Sequence, residues 1–195
     1  MSLENSRESW GAVAKGFHWT IALLIIGLLA LGLYMTGLPI GPAAFKLFFL
    51  HKSLGITVLA LAALRLGWKL ANIRPDAPAG HRRWEKGLAH ATHMLLYFAM
   101  FAMPLSGWIM SSAKNFHVSV FGLFTLPDLV APDPALAERA AGFHTALAWV
   151  LMAAIALHAA GAFKHHIIDR DDTLLRMLPF AGRRSGAGQQ KETPR

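Results

Sequence analysis

Four of the ten histidines in this chain fall inside apolar stretches, where ionisable side chains are costly and mark function by default. They are His18, His51, His144 and His158. The last two open and close a nearly uncharged run, HTALAWVLMAAIALH. Their interval of fourteen residues is close to four helical turns, so both imidazoles leave one helix face, roughly 21 Å apart along its axis. No single metal ion bridges that distance, but two sites at different depths suit it. His51 follows Lys46 by five residues, as His144 follows Arg139. His18 follows Lys15 by three, and His158 precedes Lys164 by six. These offsets set His51 level with His144 near one membrane face and His18 level with His158 near the other.

Two histidines at one level of an apolar bundle, with no thiol or carboxylate beside them, suit axial ligation of haem iron. Zinc or copper asks for three or four ligands converging at one depth, and the depths here give two and two. Two axial imidazoles leave no open iron position, which favours electron transfer over oxygen binding. A lone membrane histidine is more often an interhelical hydrogen-bonding residue, but four at paired depths argue against that. His90 and His93 lie near the inner interface, hydrated or holding haem propionates, with His93 the rival to His18 as ligand. His165 and His166 read as interfacial. Arg65 follows His51 by fourteen residues and shares its face. It is placed equally well to pair with propionates of the inner haem or to reach lipid headgroups. Gly32, Gly55, Gly142 and the alanines of the fourth segment are small enough to let helices stand off around a flat cofactor. The methionines, Trp108 and Trp149 read as packing, with the two tryptophans also placed to line a quinone site.

The elements that hold these residues follow from composition. The 195 residues are 54% hydrophobic and 15% charged, against about 25% charged in an ordinary soluble domain. Mean hydropathy is +0.40. Apolar segments at 17–36, 45–66, 88–110 and 142–163 are each about 20 residues, enough to cross a hydrocarbon core as a helix. The expected fold is therefore an all-α, integral-membrane four-helix bundle around two b-type haems, over residues 1–180. Residues 181–195 read as a disordered tail, and DDTLLRMLPF before it as a short interfacial helix capped by Asp172 or Thr173. Pro104 is tolerated in a membrane helix and predicts a kink. No small-residue cleavage site follows the first segment, which reads as an uncleaved span.

Charge gives orientation and excludes a class. With the N-terminus inside, 15 of the 19 lysines and arginines lie inside and only Lys46, Lys52, Lys114 and Arg139 outside. The net charge of +8 is then topology and headgroup contact, not a nucleic-acid patch. The expected place is a membrane crossed several times, with both termini cytoplasmic and lipid as a partner. With no cysteine, disulfides, iron–sulfur clusters, thiolate metal sites and covalent haem attachment are excluded.

GLAHATHMLLY, FHTALAWVLMAAIALHAAGAFKHH and DDTLLRMLP, with the four placed histidines, resemble the bacterial cytochrome b561 family, and within it the small di-haem superoxide oxidases. The resemblance runs from about Ser6 to Pro179. It implies a four-helix bundle with two b haems, whose ligand histidines fall on His18, His51, His144 and His158. It also implies oxidation of superoxide at the outer face and reduction of ubiquinone in the membrane. An anionic substrate favours a cationic entrance, for which Lys46, Lys52, Lys114 and Arg139 are the candidates, Lys52 foremost because it adjoins His51. Ordinary interface charge is the competing reading for all four. A second class of function is a non-catalytic cytochrome b subunit relaying electrons between a dehydrogenase or hydrogenase partner and quinone. A third is a structural or transport protein whose histidines serve packing or metal.

Overall fold

The computed structural model describes residues 2–76 and 82–179, so His81 and the 181–195 tail lie outside the described residues. Four long helices carry the chain: α1 (Ala12–Thr36), α2 (Pro42–Ala71), α3 (Arg83–Ala113) and α4 (Pro134–Ile167). All four are long and apolar enough to cross a membrane. At 34 residues α4 is about 51 Å long, well beyond a hydrocarbon core of about 30 Å. Each helix thus extends past its apolar window and carries polar residues beyond the core at its ends.

Each helix packs on its neighbour in sequence, while α1 and α4 flank a cavity. Small residues set the close approaches, since lipid supplies no hydrophobic drive between helices and tight packing must do so. Ala62 and Ala99 are wholly buried. Around them Ile21, Val58 and Met100 form one core cluster, and Leu147 and Leu151 the other. Leu23, Ile26, Leu33, Leu64 and Phe98 face outward, an apolar exterior that only lipid accommodates. Pro104 sits inside an unbroken α3.

Local chemistry fixes the ends. Pro42 and Pro134 stand in the first turns of α2 and α4, where a missing N–H costs nothing. The Asp133 carboxylate accepts from Leu136 N at 3.0 Å and caps α4. The first turn of α3 is clamped to the last turn of α4: Lys164 Nζ donates to Glu85 Oε1 and to Asp169 Oδ2, each at 2.6 Å. At this end, where the described residues begin and end, residues before α1 fold back on the exit of α2. Asn5 Nδ2 donates to Ile73 O at 2.9 Å and Asp76 N to Arg7 O at 2.8 Å. Gly11 has no substitute here, because a Cβ would collide with the carbonyls of Leu3 and Glu4.

After α4 the chain does not form the interfacial helix expected from DDTLLRMLPF. Residues 173–177 make consecutive turns, opened by Thr173 N donating to the Asp171 carboxylate at 2.7 Å, not by a cap from Asp172 or Thr173. The segment is held by α1 instead. Lys15 Nζ donates to Leu178 O at 3.1 Å and Trp19 Nε1 to Met177 O at 2.8 Å.

At the opposite end, β1 (Ser119–Val120) and β2 (Phe124–Thr125) form a small antiparallel hairpin, with Ser119 opposite Thr125 and Val120 opposite Phe124. Its turn runs through Phe121 at φ 51° and Gly122 at φ 74°. Ser53 on α2, fully buried, holds it. Its hydroxyl accepts from Phe121 N at 3.0 Å and donates to Phe49 O at 3.0 Å, with Ser119 O at 3.2 Å.

Candidate functional site

The four membrane histidines meet in two pairs, both anchored on α4. At the hairpin end His51 of α2 faces His144, with ring centres 6.3 Å apart and planes at 69°. At the terminal end His18 of α1 faces His158, at 6.1 Å and 62°. These separations match a shared metal. Two metal–nitrogen bonds of roughly 2.0–2.1 Å, on a line with two imidazoles, place the ring centres about 6.3 Å apart.

Further features of the hairpin-end pair fit a planar ligated group. A cavity of about 180 Å³ opens between α1 and α4, walled by His51, His144, Gly32, Gly55 and Trp149. A Cβ on Gly32 would stand 3.4 Å from His51 Cε1, and one on Gly107 3.4 Å from His144 Cε1. Of the expected small residues Gly32, Gly55 and Gly142, the first two line this cavity and Gly142 does not; Gly107 stands against His144 instead. His51 Nδ1 is buried with no hydrogen-bond partner among the described residues.

His144 is oriented from behind. Its Nδ1 lies 2.9 Å from Ser106 Oγ, and that hydroxyl donates to Met103 O at 2.8 Å. The single serine proton is committed to the carbonyl, so Nδ1–H must be the donor to Oγ. That leaves the Nε2 lone pair free for a metal. Ser106 escaped the sequence reading because one serine in an apolar run has no periodic signal. Its contact with His144 emerges only when α3 packs on α4.

The terminal-end pair sits in more polar surroundings. Arg65 Nη2 lies 3.3 Å from His18 Nδ1, and the guanidinium stands 5.5 Å from the centre of the Tyr97 ring. Arg65 is thus inside the bundle at this site. His93 also comes to His158, at 5.1 Å between ring centres, shorter than a shared linear metal requires. His18 is therefore the better geometric partner. His90 is exposed, and His165 and His166 lie at the end of α4 beyond the pair. His165 pairs with Asp169 at 2.7 Å and Asp171 at 3.3 Å.

Of the proposed cationic entrance, Lys46, Lys114 and Arg139 are exposed at the hairpin end. Lys52 is half-buried, donating to Ser111 Oγ at 3.1 Å and to His117 O at 3.3 Å. Trp108 donates to Pro127 O at 3.1 Å and so fastens the loop before α4. Trp149 is 61% exposed at the mouth of the cavity.

Comparison with known proteins points the same way. A family model described as prokaryotic cytochrome b561 matches residues 9–180. The chain is 36% identical over 179 residues to cytochrome b561 homolog 2 of Escherichia coli (strain K12), covering 91% of this chain and 95% of that one. It is 30% identical over 174 residues to a protein of Yersinia pestis named "Probable superoxide oxidase CybB", covering 88% and 97%. Cytochrome b561 homolog 1 of Escherichia coli (strain K12) matches at 30% over 164 residues, 83% and 92% of the two chains.

Proposed function

The chain belongs to the prokaryotic cytochrome b561 family, and from that premise we propose that it is a di-haem cytochrome b that oxidises superoxide and reduces ubiquinone. Membership makes it a multi-pass bacterial membrane protein of electron transfer that binds b-type haem. The rest is our reading. His51 and His144 hold one haem, and His18 and His158 the other. The observation that carries this is the presence of two histidine pairs at opposite ends of one bundle, each at the ring separation a shared iron needs. Bound haem supplies one-electron ferric–ferrous chemistry.

Superoxide enters at the hairpin end. Lys52 stands beside His51 in sequence and carries three N–H donors, two of them engaged by Ser111 and His117. Its charge, with Lys46, Lys114 and Arg139 around it, draws an anion toward the site. Two superoxide anions give two oxygen molecules and two electrons, and ubiquinone takes those electrons with two protons to become ubiquinol. The relative from Yersinia pestis supports the choice of substrate. The distribution of basic residues supports a location in the inner membrane with both termini in the cytoplasm, which makes the hairpin end external.

The test is direct. Detergent-purified protein is mixed with a superoxide source and a soluble ubiquinone while the visible spectrum is recorded. Two haems per chain, reduced by superoxide and reoxidised by quinone, are expected. Two haems that dithionite reduces but superoxide leaves oxidised would replace this reading with an electron-relay subunit serving a dehydrogenase or hydrogenase.

A further inference from the structure

Beyond the histidine pair at the terminal end, several buried hydrogen-bonding groups face no partner. Trp68 Nε1, His166 Nδ1, Thr173 Oγ1 and Arg176 Nε are all buried without one among the described residues. The first and last can only donate, and the other two are able to. A set of buried donors lacking an acceptor is the imprint of an oxyanion, since native interiors satisfy such groups. They come from three separate parts of the chain. Trp68 is one turn after Arg65 on α2, His166 is two turns after His158 on α4, and Thr173 and Arg176 lie on the turns that follow. Two contacts tie the turns after α4 to α1 beside His18 and to the chain leaving α2. Met177 O takes the indole N–H of Trp19, the neighbour of His18, and Arg176 Nη1 donates to Asp76 O beyond α2, at 2.9 Å.

We propose that Trp68, His166, Thr173 and Arg176 form a cradle for the carboxylates of the haem held by His18 and His158. This rests on the di-haem reading above. The carboxylate class follows from the donor set: a guanidinium N–H, an indole N–H and a hydroxyl match a carboxylate, and a buried charge-assisted bond is strong. The haem follows from position: His166 lies eight residues after His158 on α4, and Trp68 three residues after Arg65, which touches His18. Arg65, already against His18, adds a second cation on the same side. The turns after α4 are thereby a binding element, which accounts for their being pinned to α1 by Lys15 and Trp19.

The experiment uses the full-length protein with its haems bound. Haem loss to an excess of apomyoglobin is followed for the unchanged chain, Arg176→Met, Arg176→Lys and Thr173→Val, together with infrared redox difference spectra in the carboxyl region. Arg176→Met and Thr173→Val are expected to speed loss of one haem about tenfold. The haem at His51 and His144 should stay within twofold and serve as the internal control for folding. The propionate bands should shift, and Arg176→Lys should recover most of the retention. Both haems leaving equally fast, or neither changing, overturns the cradle. A fall in bound acidic phospholipid with unchanged haem loss and unchanged carboxyl bands overturns it too, and gives the donors to a lipid headgroup. Where Arg176→Met does not fold, Thr173→Val, close in volume, decides alone. A chain that purifies with a single haem refutes the di-haem reading itself, a result distinct from any of these.

Discussion

Replacing Ser106 with alanine isolates one hydrogen bond behind one ligand. Ser106 is only 5% exposed, and its hydroxyl takes the Nδ1–H of His144 at 2.9 Å while giving its own proton to Met103 O. The alanine variant removes this bond and leaves Met103 O as the acceptor beside His144, at a cost of about 0.5–1.5 kcal/mol that is shared between free and loaded protein. What differs with oxidation state is smaller. A donated Nδ1 proton makes the imidazole a more basic ligand, which favours ferric over ferrous iron. If that preference is about 0.5–1 kcal/mol, its loss raises the midpoint potential of one haem by about 20–40 mV. A potentiometric titration with optical detection resolves the two haems, and only the one held by His144 should move. Ser106→Thr keeps a hydroxyl and should stay near the parent value. Equal shifts of both haems, or none, would refute the reasoning. His144 would then be held by Gly107 and the iron alone.

Other consequences are equally open to measurement. His51→Ala and His144→Ala should each lower haem content from two per chain to one, read by pyridine haemochrome, and unchanged content would remove them as ligands. Lys52→Glu should slow superoxide oxidation at low ionic strength and much less above about 0.5 M salt, because screening shortens the reach of the charge to a few ångströms. Gly107→Val should reduce loading of the same haem, since a branched side chain whose first carbon already stands 3.4 Å from His144 Cε1 has nowhere to go. Gly16→Ala, which meets nothing within 4 Å, is the matched control.

The bundle was legible because lipid enforces it. Uncharged runs of about 20 residues leave one economical structure, and helical geometry then puts histidines fourteen apart on one face. Pairing by depth followed from charges at the helix ends, and the structure brings those same residues together. What stayed hidden depends on contacts between distant segments. Ser53 and Ser106 are ordinary serines until a hairpin or a histidine arrives beside them. The placement of Gly107, not Gly142, against His144 depends on how α3 meets α4. The turns at 173–177 carry helix-compatible residues, yet α1 takes up their carbonyls and the Asp171 carboxylate starts them, so tertiary partners override local preference.

Both histidine pairs hang from a single unbroken helix. The separation of the two proposed redox sites is therefore a covalent length, counted in residues along α4, and not an equilibrium between movable parts. One residue inserted between His144 and His158 would turn everything after it by about 100° and advance it by about 1.5 Å, carrying His158 off the shared face. The same insertion at the tip of the hairpin only lengthens a loop. Within one chain, then, tolerance to a change in length is set by a gauge: rigid between the two α4 histidines, and slack where the chain merely connects.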